Sequence, residues 1–147
     1  MFDLVLKNLK VVRPGRGTVE SLDIGITDGK FAALEPKIGA DQAKEVRDCK
    51  GLTAFPGIID AHMHVESGMV TVTEFCRAVI PHGTTSMFID PHEIANVLGL
   101  DGVRLMHDEA LGMPINVHVQ MPSCVPSAPG LENAGASLGP DDIAEAL

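Results

Sequence analysis

Two histidines separated by one residue, His62 and His64, lie where the sequence predicts the end of a β-strand. Side chains at positions i and i+2 of a strand point to the same face of a sheet. Two imidazoles on one face can converge on one cation, and neutral imidazole is a common ligand of divalent metals. A His-x-His pair alone is a weak signal, because most such pairs hold no metal. Its position at the end of the predicted strand 58–62, which directly follows Pro56-Gly57, favours the metal interpretation.

A second group of polar residues lies at and just after the end of the next predicted strand, residues 84–90. Asp90 ends this predicted strand, and His92 and Glu93 come after Pro91. These side chains are candidates for substrate contacts, proton transfer or a further metal site, because the ends of parallel strands meet at one edge of a sheet. The alternative is structural: Asp90 caps the following helix and Glu93 interacts favourably with its dipole.

Four further residues are candidates by type and position. Glu66 shares a face with the histidines if the strand continues, and could be a ligand, a base or a hydrogen-bond acceptor behind a ligand, or else a cap for the helix that begins near Thr71. His118 lies within a third predicted strand, where a histidine is more often a core residue than a ligand. Gln120 shares its face and offers both a donor and an acceptor. Cys124, between two prolines, either lines the site or packs.

The first 55 residues read as a small β domain. Residues 22–27 alternate apolar and polar side chains, Asp28-Gly29 is typical of a tight hairpin turn, and residues 30–34 form the returning strand. Together with the alternating segment 2–8 they predict a small antiparallel sheet.

Residues 56–147 follow a different pattern, in which strands alternate with helices. We expect strands at 58–62, 84–90 and 115–120, and helices from Thr71 to about 80, over 93–111 and from Pro140 onward. Thr71 and Glu74 fit a capping box at the first helix. Gly99 and Gly102 are expected to split the second helix. The alternation predicts parallel strand pairing with right-handed crossovers.

Composition excludes several classes of function. The chain has 147 residues with 11 basic and 20 acidic side chains, a net charge of −9, and neither Trp nor Tyr. Negative charge repels phosphate backbones, and stacking platforms for bases are scarce, so we expect no nucleic-acid partner. Apolar runs are too short for a membrane span. Three distant cysteines argue against a disulfide framework and predict a cytoplasmic location.

The sequence also predicts that more chain follows. Residues 144–147 are helix-forming without a C-terminal cap, and three parallel strands cover their apolar faces poorly. We therefore expect an N-terminal portion of a longer polypeptide. The competing hypothesis is a complete, non-catalytic module that pairs its open sheet with another chain.

Three stretches carry a resemblance to a known family. They are His62-Met63-His64-Val65-Glu66-Ser67, then Pro81-His82-Gly83-Thr84-Thr85 continuing to Asp90-Pro91-His92-Glu93-Ile94-Ala95-Asn96-Val97-Leu98-Gly99, and Pro122-Ser123-Cys124-Val125-Pro126. With the β-rich opening and the Pro-Gly junction, the chain resembles the amidohydrolase superfamily. More narrowly, it is similar to the bacterial-type adenine deaminase family over nearly its whole length.

The resemblance implies an α/β fold: a small β-sandwich-like domain at 1–55, and at 56–147 the first three βα units of a truncated (β/α)8 barrel. It implies a divalent, binuclear metal centre containing Mn, Fe or Zn. Hydroxide on that metal would attack C6 of adenine, giving hypoxanthine and ammonia. Further ligands would come from later strands, so the isolated portion should be inactive.

The resemblance implies that His62 and His64 are metal ligands, and it adds weight to a functional role for Asp90, His92 and Glu93. The remaining candidates rest on residue type and position alone. Together, the catalytic candidates are Glu66, His92 and Glu93, and the substrate-binding candidates are Asp90, His118, Gln120 and Cys124. The expected partners are a purine base and the remainder of the barrel, and homo-oligomer formation is left open. A different amidohydrolase reaction, on a cyclic amide or an N-acyl group, uses the same nucleophile and is the catalytic alternative.

Overall fold

In the computed structural model, which describes residues 1–147, the polypeptide divides into two units, Met1–Pro56 and Gly57–Leu147. Each unit is built around its own β-sheet. None of the helices combines the length and apolar character needed to cross a membrane.

The N-terminal unit holds one five-stranded sheet. Its strands are β1 (Phe2–Arg13), β2 (Thr18–Thr27), β3 (Lys30–Glu35), β4 (Ala43–Asp48) and β5 (Thr53–Ala54). The order is β3-β2-β1-β4, and β5 also pairs with β1. The hairpin between β2 and β3 is confirmed, with Asp28 and Gly29 both at positive φ as a tight turn requires.

Two expectations for this unit are wrong. The sheet is antiparallel only across β1, β2 and β3, because β4 and β5 pair with β1 in the parallel direction. There is also a single sheet where the β-sandwich-like prediction requires two stacked ones. A two-residue turn forces the strands on either side of it to be antiparallel. The longer connection at 36–42 brings the chain back to the end of the sheet where β1 begins, so β4 runs in the same direction as β1.

Successive side chains of β2 point to opposite faces of the sheet and make different contacts. Leu22 and Ile24 pack with Leu9 and Val11 in a buried cluster. Asp23, between them in sequence, points to the other face, and is a buried charged residue with 3 % of its surface exposed.

The second unit alternates strands with helices and is a mixed α/β arrangement, as predicted. The elements are β6 (Ile58–Met63), α1 (Val72–Val79), β7 (Thr84–Ile89), α2 (His92–Leu98), α3 (Leu100–Ala110), β8 (Asn116–Val119) and α4 (Pro140–Ala146). The three strands lie in the order β6-β7-β8, and both pairings are parallel.

A glycine is required where the chain enters this unit. A Cβ atom at Gly57 would lie 1.9 Å from Oγ1 of Thr85, well inside any possible contact. Backbone atoms at Gly57 can therefore lie against β7, and β6 starts in register beside it.

Helices cover one face of the three-stranded sheet. Met87 and Ile89 of β7 are fully buried in a cluster with Val72, Cys76 and other residues of α1 and α3. Because successive side chains of a strand point to opposite faces, Phe88 points away from the helices. The candidate functional side chains lie at the ends of the strands.

The break between α2 and α3 occurs at Gly99 alone. Gly99 has φ +61, a conformation that a side chain disfavours. Gly102, expected to be a second break, lies inside α3 instead. A Cβ atom there would lie 2.8 Å from the carbonyl oxygen of Ile94, so Gly102 permits the close approach of α2 to α3.

Helix α1 is capped by a residue from a different helix. Thr71 is at the N-cap position as predicted, but its side chain makes no capping bond, and Glu74 pairs with Arg77 instead. The capping-box prediction is therefore wrong. The carboxylate of Glu109 accepts hydrogen bonds from the Thr71 hydroxyl at 2.6 Å and from the amides of Val72 and Thr73 at 3.1 and 3.0 Å.

These contacts also shift the ionisation of the Glu109 carboxyl. Burial raises its pKa, but the hydrogen bonds from Thr71, Thr73 and Val72 outweigh burial, so the pKa is lowered. The carboxylate form is therefore the one that holds the helix terminus.

Replacing Glu109 with alanine is expected to destabilise the protein by about 1–2 kcal/mol, because two amides at the start of α1 lose their acceptor. Urea unfolding measures the change, and amide hydrogen exchange at Val72 and Thr73 should accelerate. The matched control is Asp108→Ala, since Asp108 is an exposed acid whose hydrogen bond is to His107. Equal stability of the two variants would contradict the capping role.

Candidate metal centre

The carboxyl ends of the three parallel strands bring polar side chains to one edge of the sheet. His62 lies within β6 and His64 directly after it, Asp90 follows β7, and Gln120 follows β8. Backbone bonds extend the ladder past the strand ends, from the Asp90 amide to the carbonyl of Met63 at 2.8 Å. This ladder sets the spacing of the side chains at the edge.

The two histidine rings present the same nitrogen to each other. Nε2 of His62 and Nε2 of His64 are 3.0 Å apart. On the far side of each ring, Nδ1 of His62 lies 3.0 Å from Oε1 of Gln120, and Nδ1 of His64 lies 3.0 Å from Oε2 of Glu93. Amide and carboxylate oxygens only accept hydrogen bonds, so both Nδ1 atoms carry the hydrogen.

In the neutral form of each ring, which is the form that binds a metal, the facing Nε2 atom therefore carries a lone pair. Two lone pairs at 3.0 Å repel each other unless a cation lies between them. The spacing suits two nitrogens bound to one ion at about 2.1 Å each.

Asp90 supplies a third donor. Ligand atoms of His62, His64 and Asp90 all lie within 4.8 Å of one another. Oδ1 of Asp90 is buried and has no hydrogen-bond partner in the protein. A buried carboxylate oxygen without a partner is costly, and a cation would satisfy it. The two imidazoles and the carboxylate therefore fit a divalent metal.

Glu93 is held on both of its oxygens. The hydroxyl of Ser67 donates to Oε1, and the His64 ring donates to Oε2. Burial raises the pKa of the Glu93 carboxyl, but the bonds from Ser67 and His64 outweigh it and leave the pKa lowered. Glu93 is therefore a carboxylate anion that accepts the Nδ1 hydrogen of His64, on the side of the ring opposite Nε2.

Glu66 contacts the backbone of α2. Its Oε1 accepts the Ile94 amide at 3.2 Å, and its Oε2 is buried without a partner. The residue thus caps a helix, but it is α2 and not the helix beginning near Thr71 that the structural alternative named. Asp60, two residues before His62, likewise accepts a backbone amide, that of His62, at 3.2 Å.

His92 belongs to a neighbouring polar group. Its ring centre lies 6.3 Å from that of His64. Cys124 Sγ is 3.9 Å from His92 Nδ1, and Ser127 Oγ is 3.5 Å from His92 Nε2. Sequence reasoning missed Ser127, because nothing in its spacing links a loop serine to a histidine 35 residues earlier.

His118 does not join the histidine pair. It is exposed and stacks on Phe88, with ring centres 4.6 Å apart and an interplanar angle of 21°. The structural alternative, a buried core histidine, is wrong because the face of β8 that carries His118 is not the face that packs against the helices.

Comparison with known proteins places the chain in a family. The model of the amidohydrolase family matches residues 53–146. The chain is 66 % identical to an adenine deaminase of Mesorhizobium japonicum over 99 % of its own length, which is 24 % of that relative. It is 51 % identical to an adenine deaminase of Moorella thermoacetica, again over 99 % of the chain and 24 % of the relative. The chain thus spans about a quarter of the curated relatives it matches.

Solved structures share the fold at low sequence identity. An L-hydantoinase (dihydropyrimidinase) from Arthrobacter aurescens aligns with TM-score 0.59 and 22 % identity, covering 82 % of this chain and 27 % of that one. An N-acyl-D-glutamate deacylase from Bordetella bronchiseptica, solved with zinc, aligns with TM-score 0.64 and 17 % identity, covering 96 % and 34 %. By its family match and its fold, this chain belongs to the amidohydrolase family.

Proposed function

We propose that the complete gene product containing this chain is a metal-dependent aminohydrolase that converts adenine to hypoxanthine and ammonia. The observation that carries the proposal is that ligand atoms of His62, His64 and Asp90 converge within 4.8 Å, with the two Nε2 atoms facing each other and one buried oxygen of Asp90 unpartnered. Similarity to adenine deaminases at 51 to 66 % identity supports the choice of substrate.

The architecture we propose for the whole protein follows the sequence prediction. Residues 1–55 form a small β domain, and residues 56–147 form the first part of a (β/α)8 barrel, with β6, β7 and β8 as its first strands. The parallel order of these strands supports this assignment. Further strands would supply more metal ligands and the rest of the substrate pocket.

We propose a divalent, binuclear centre of Mn, Fe or Zn, held on this chain by His62, His64 and Asp90. When bound, such a cation would lower the pKa of a water molecule to about 7 and so would supply a hydroxide nucleophile near neutral pH. The sequence predicts Asp90 as a substrate contact and leaves a further metal site open; its place beside the histidine pair and its unpartnered buried oxygen support the role of ligand.

Among the catalytic candidates, His92 is the best placed to give a proton to the departing amine. Both Glu66 and Glu93 already accept hydrogen bonds that hold other groups. His92 faces only a thiol at 3.9 Å and a hydroxyl at 3.5 Å, so a substrate can compete for its ring. Cys124 would then border the purine, while His118 lies on the open face of the sheet as a more distant contact.

We retain two further expectations as proposals. A cytoplasmic location agrees with three cysteines that form no disulfide, Cys49, Cys76 and Cys124. The second is that the small molecule bound by the protein is a purine base. Assembly into a homo-oligomer is left open.

The test is turnover of adenine by the complete gene product loaded with manganese, iron or zinc. We expect release of ammonia and formation of hypoxanthine, followed by the change in ultraviolet absorbance. Dihydropyrimidine and N-acyl amino acid substrates are assayed in parallel. Ring opening or deacylation without ammonia release from adenine would assign the site to another amidohydrolase reaction.

A further inference from the structure

The two proposed metal ligands differ in what lies behind them. His64 donates its Nδ1 hydrogen to the carboxylate of Glu93, whereas His62 donates to the neutral amide of Gln120, each at 3.0 Å. An anionic acceptor pulls the shared hydrogen more strongly than a neutral one and so raises the basicity of the opposite ring nitrogen.

We propose that Glu93 and Gln120 are positioning residues that make the two ligands unequal, with His64 the stronger donor to the metal. This inference rests on the proposed metal site. It replaces the sequence-based roles of Glu93 in catalysis and Gln120 in substrate binding, because both side chains are engaged by the ligand rings.

The two acceptors are held in place in different ways. The Ser67 hydroxyl donates to the second oxygen of Glu93, so the carboxylate bridges Ser67 and His64 and cannot rotate freely. The backbone amide of Gln120 continues the strand ladder by donating to the carbonyl of Ile89 at 2.8 Å, which fixes the backbone from which its side chain extends to His62. His64 therefore has the more firmly anchored acceptor of the two rings.

The proposal is tested by removing the negative charge at position 93 and placing one at position 120. Glu93→Gln keeps a hydrogen-bond acceptor but removes the charge, and Glu93→Asp keeps the charge but shortens the side chain. Gln120→Glu places a carboxylate behind His62. Zinc affinity of the complete gene product is measured by competition with a chromogenic chelator, together with thermal midpoints and metal stoichiometry.

We expect Glu93→Gln and Glu93→Asp to weaken zinc binding by about 10- to 100-fold. Ser67→Ala should weaken it less, because the His64 contact survives. The double variant Glu93→Gln/Gln120→Glu should recover much of the affinity lost in Glu93→Gln, which damage to the fold would not allow. Glu74→Gln, which removes an exposed carboxylate paired with Arg77, is the matched control and should bind zinc as the wild type does.

Wild-type affinity in Glu93→Gln, or no recovery in the double variant, would overturn the proposal. If the wild-type protein binds no metal, both this inference and the proposed function fail. If it binds metal and shows the expected order of affinities but releases no ammonia from adenine, the positioning roles stand and only the proposed substrate is wrong.

Discussion

Replacing His62 or His64 with alanine is expected to abolish tight metal binding and, with it, the proposed deamination of adenine. Each substitution removes one of the two lone pairs that face each other at 3.0 Å. Loss of a direct ligand should cost more than the roughly 100-fold upper range associated with loss of an outer partner. Metal content by elemental analysis and ammonia release by the complete gene product measure the two effects.

The matched control for this experiment is His107→Ala. His107 is an exposed residue of α3 whose ring contacts the neighbouring Asp108. We expect unchanged metal content and rate in this variant. If His62→Ala and His64→Ala retained metal and activity at the level of the control, the cation would have to be held elsewhere, and the proposed site would be wrong.

Replacing Asp23 with alanine is expected to give the largest loss of stability, about 3–5 kcal/mol. Its carboxylate accepts the amides of Asn8 and Ile38 at 2.8 and 2.9 Å and pairs with Lys7 at 3.0 Å. Removal leaves two amides without an acceptor and a half-buried ammonium without a counterion. Urea unfolding of the N-terminal unit within the gene product measures the loss, with the exposed Asp41→Ala as control. A loss no greater than in that control would contradict the structural role of Asp23.

The same carboxylate predicts a pH dependence. Burial raises the pKa of Asp23, but hydrogen bonds from Ile38, Asn8 and Lys7 outweigh it, so the pKa in the folded protein is lowered. Its contribution to stability is therefore complete above the unfolded pKa of about 3.9 and is lost as pH falls through the lower folded value. The Asp23→Asn variant should lose less stability than the wild type between pH 5 and pH 2, each compared with its own value at pH 7. Parallel curves for the two proteins would contradict this assignment.

Features that depend on neighbours in the chain could be predicted from the sequence. The hairpin at Asp28-Gly29, the start of α1 after Thr71 and the break at Gly99 all follow from local conformational preferences. The common orientation of His62 and His64 was also predictable, because it follows from the two-residue period of a strand.

Features that depend on distant residues could not be predicted from the sequence. The sequence around Thr71 fits a capping box, yet the cap comes from Glu109, 38 residues away. The segment 43–48 reads as a strand, but nothing in it shows that it pairs in the parallel direction with β1. Both outcomes depend on which elements meet in space.

For the candidate site, residue types and strand ends by themselves determined that imidazoles and carboxylates would gather at one edge of a parallel sheet. Only the tertiary structure decided that Glu93 and Gln120 lie behind the two rings and that Asp90, which has one buried oxygen without a partner, lies beside them. The physical reason is that strand periodicity sets the direction of a side chain, whereas its contacts are set by the register between β6, β7 and β8 and by the packing of α2.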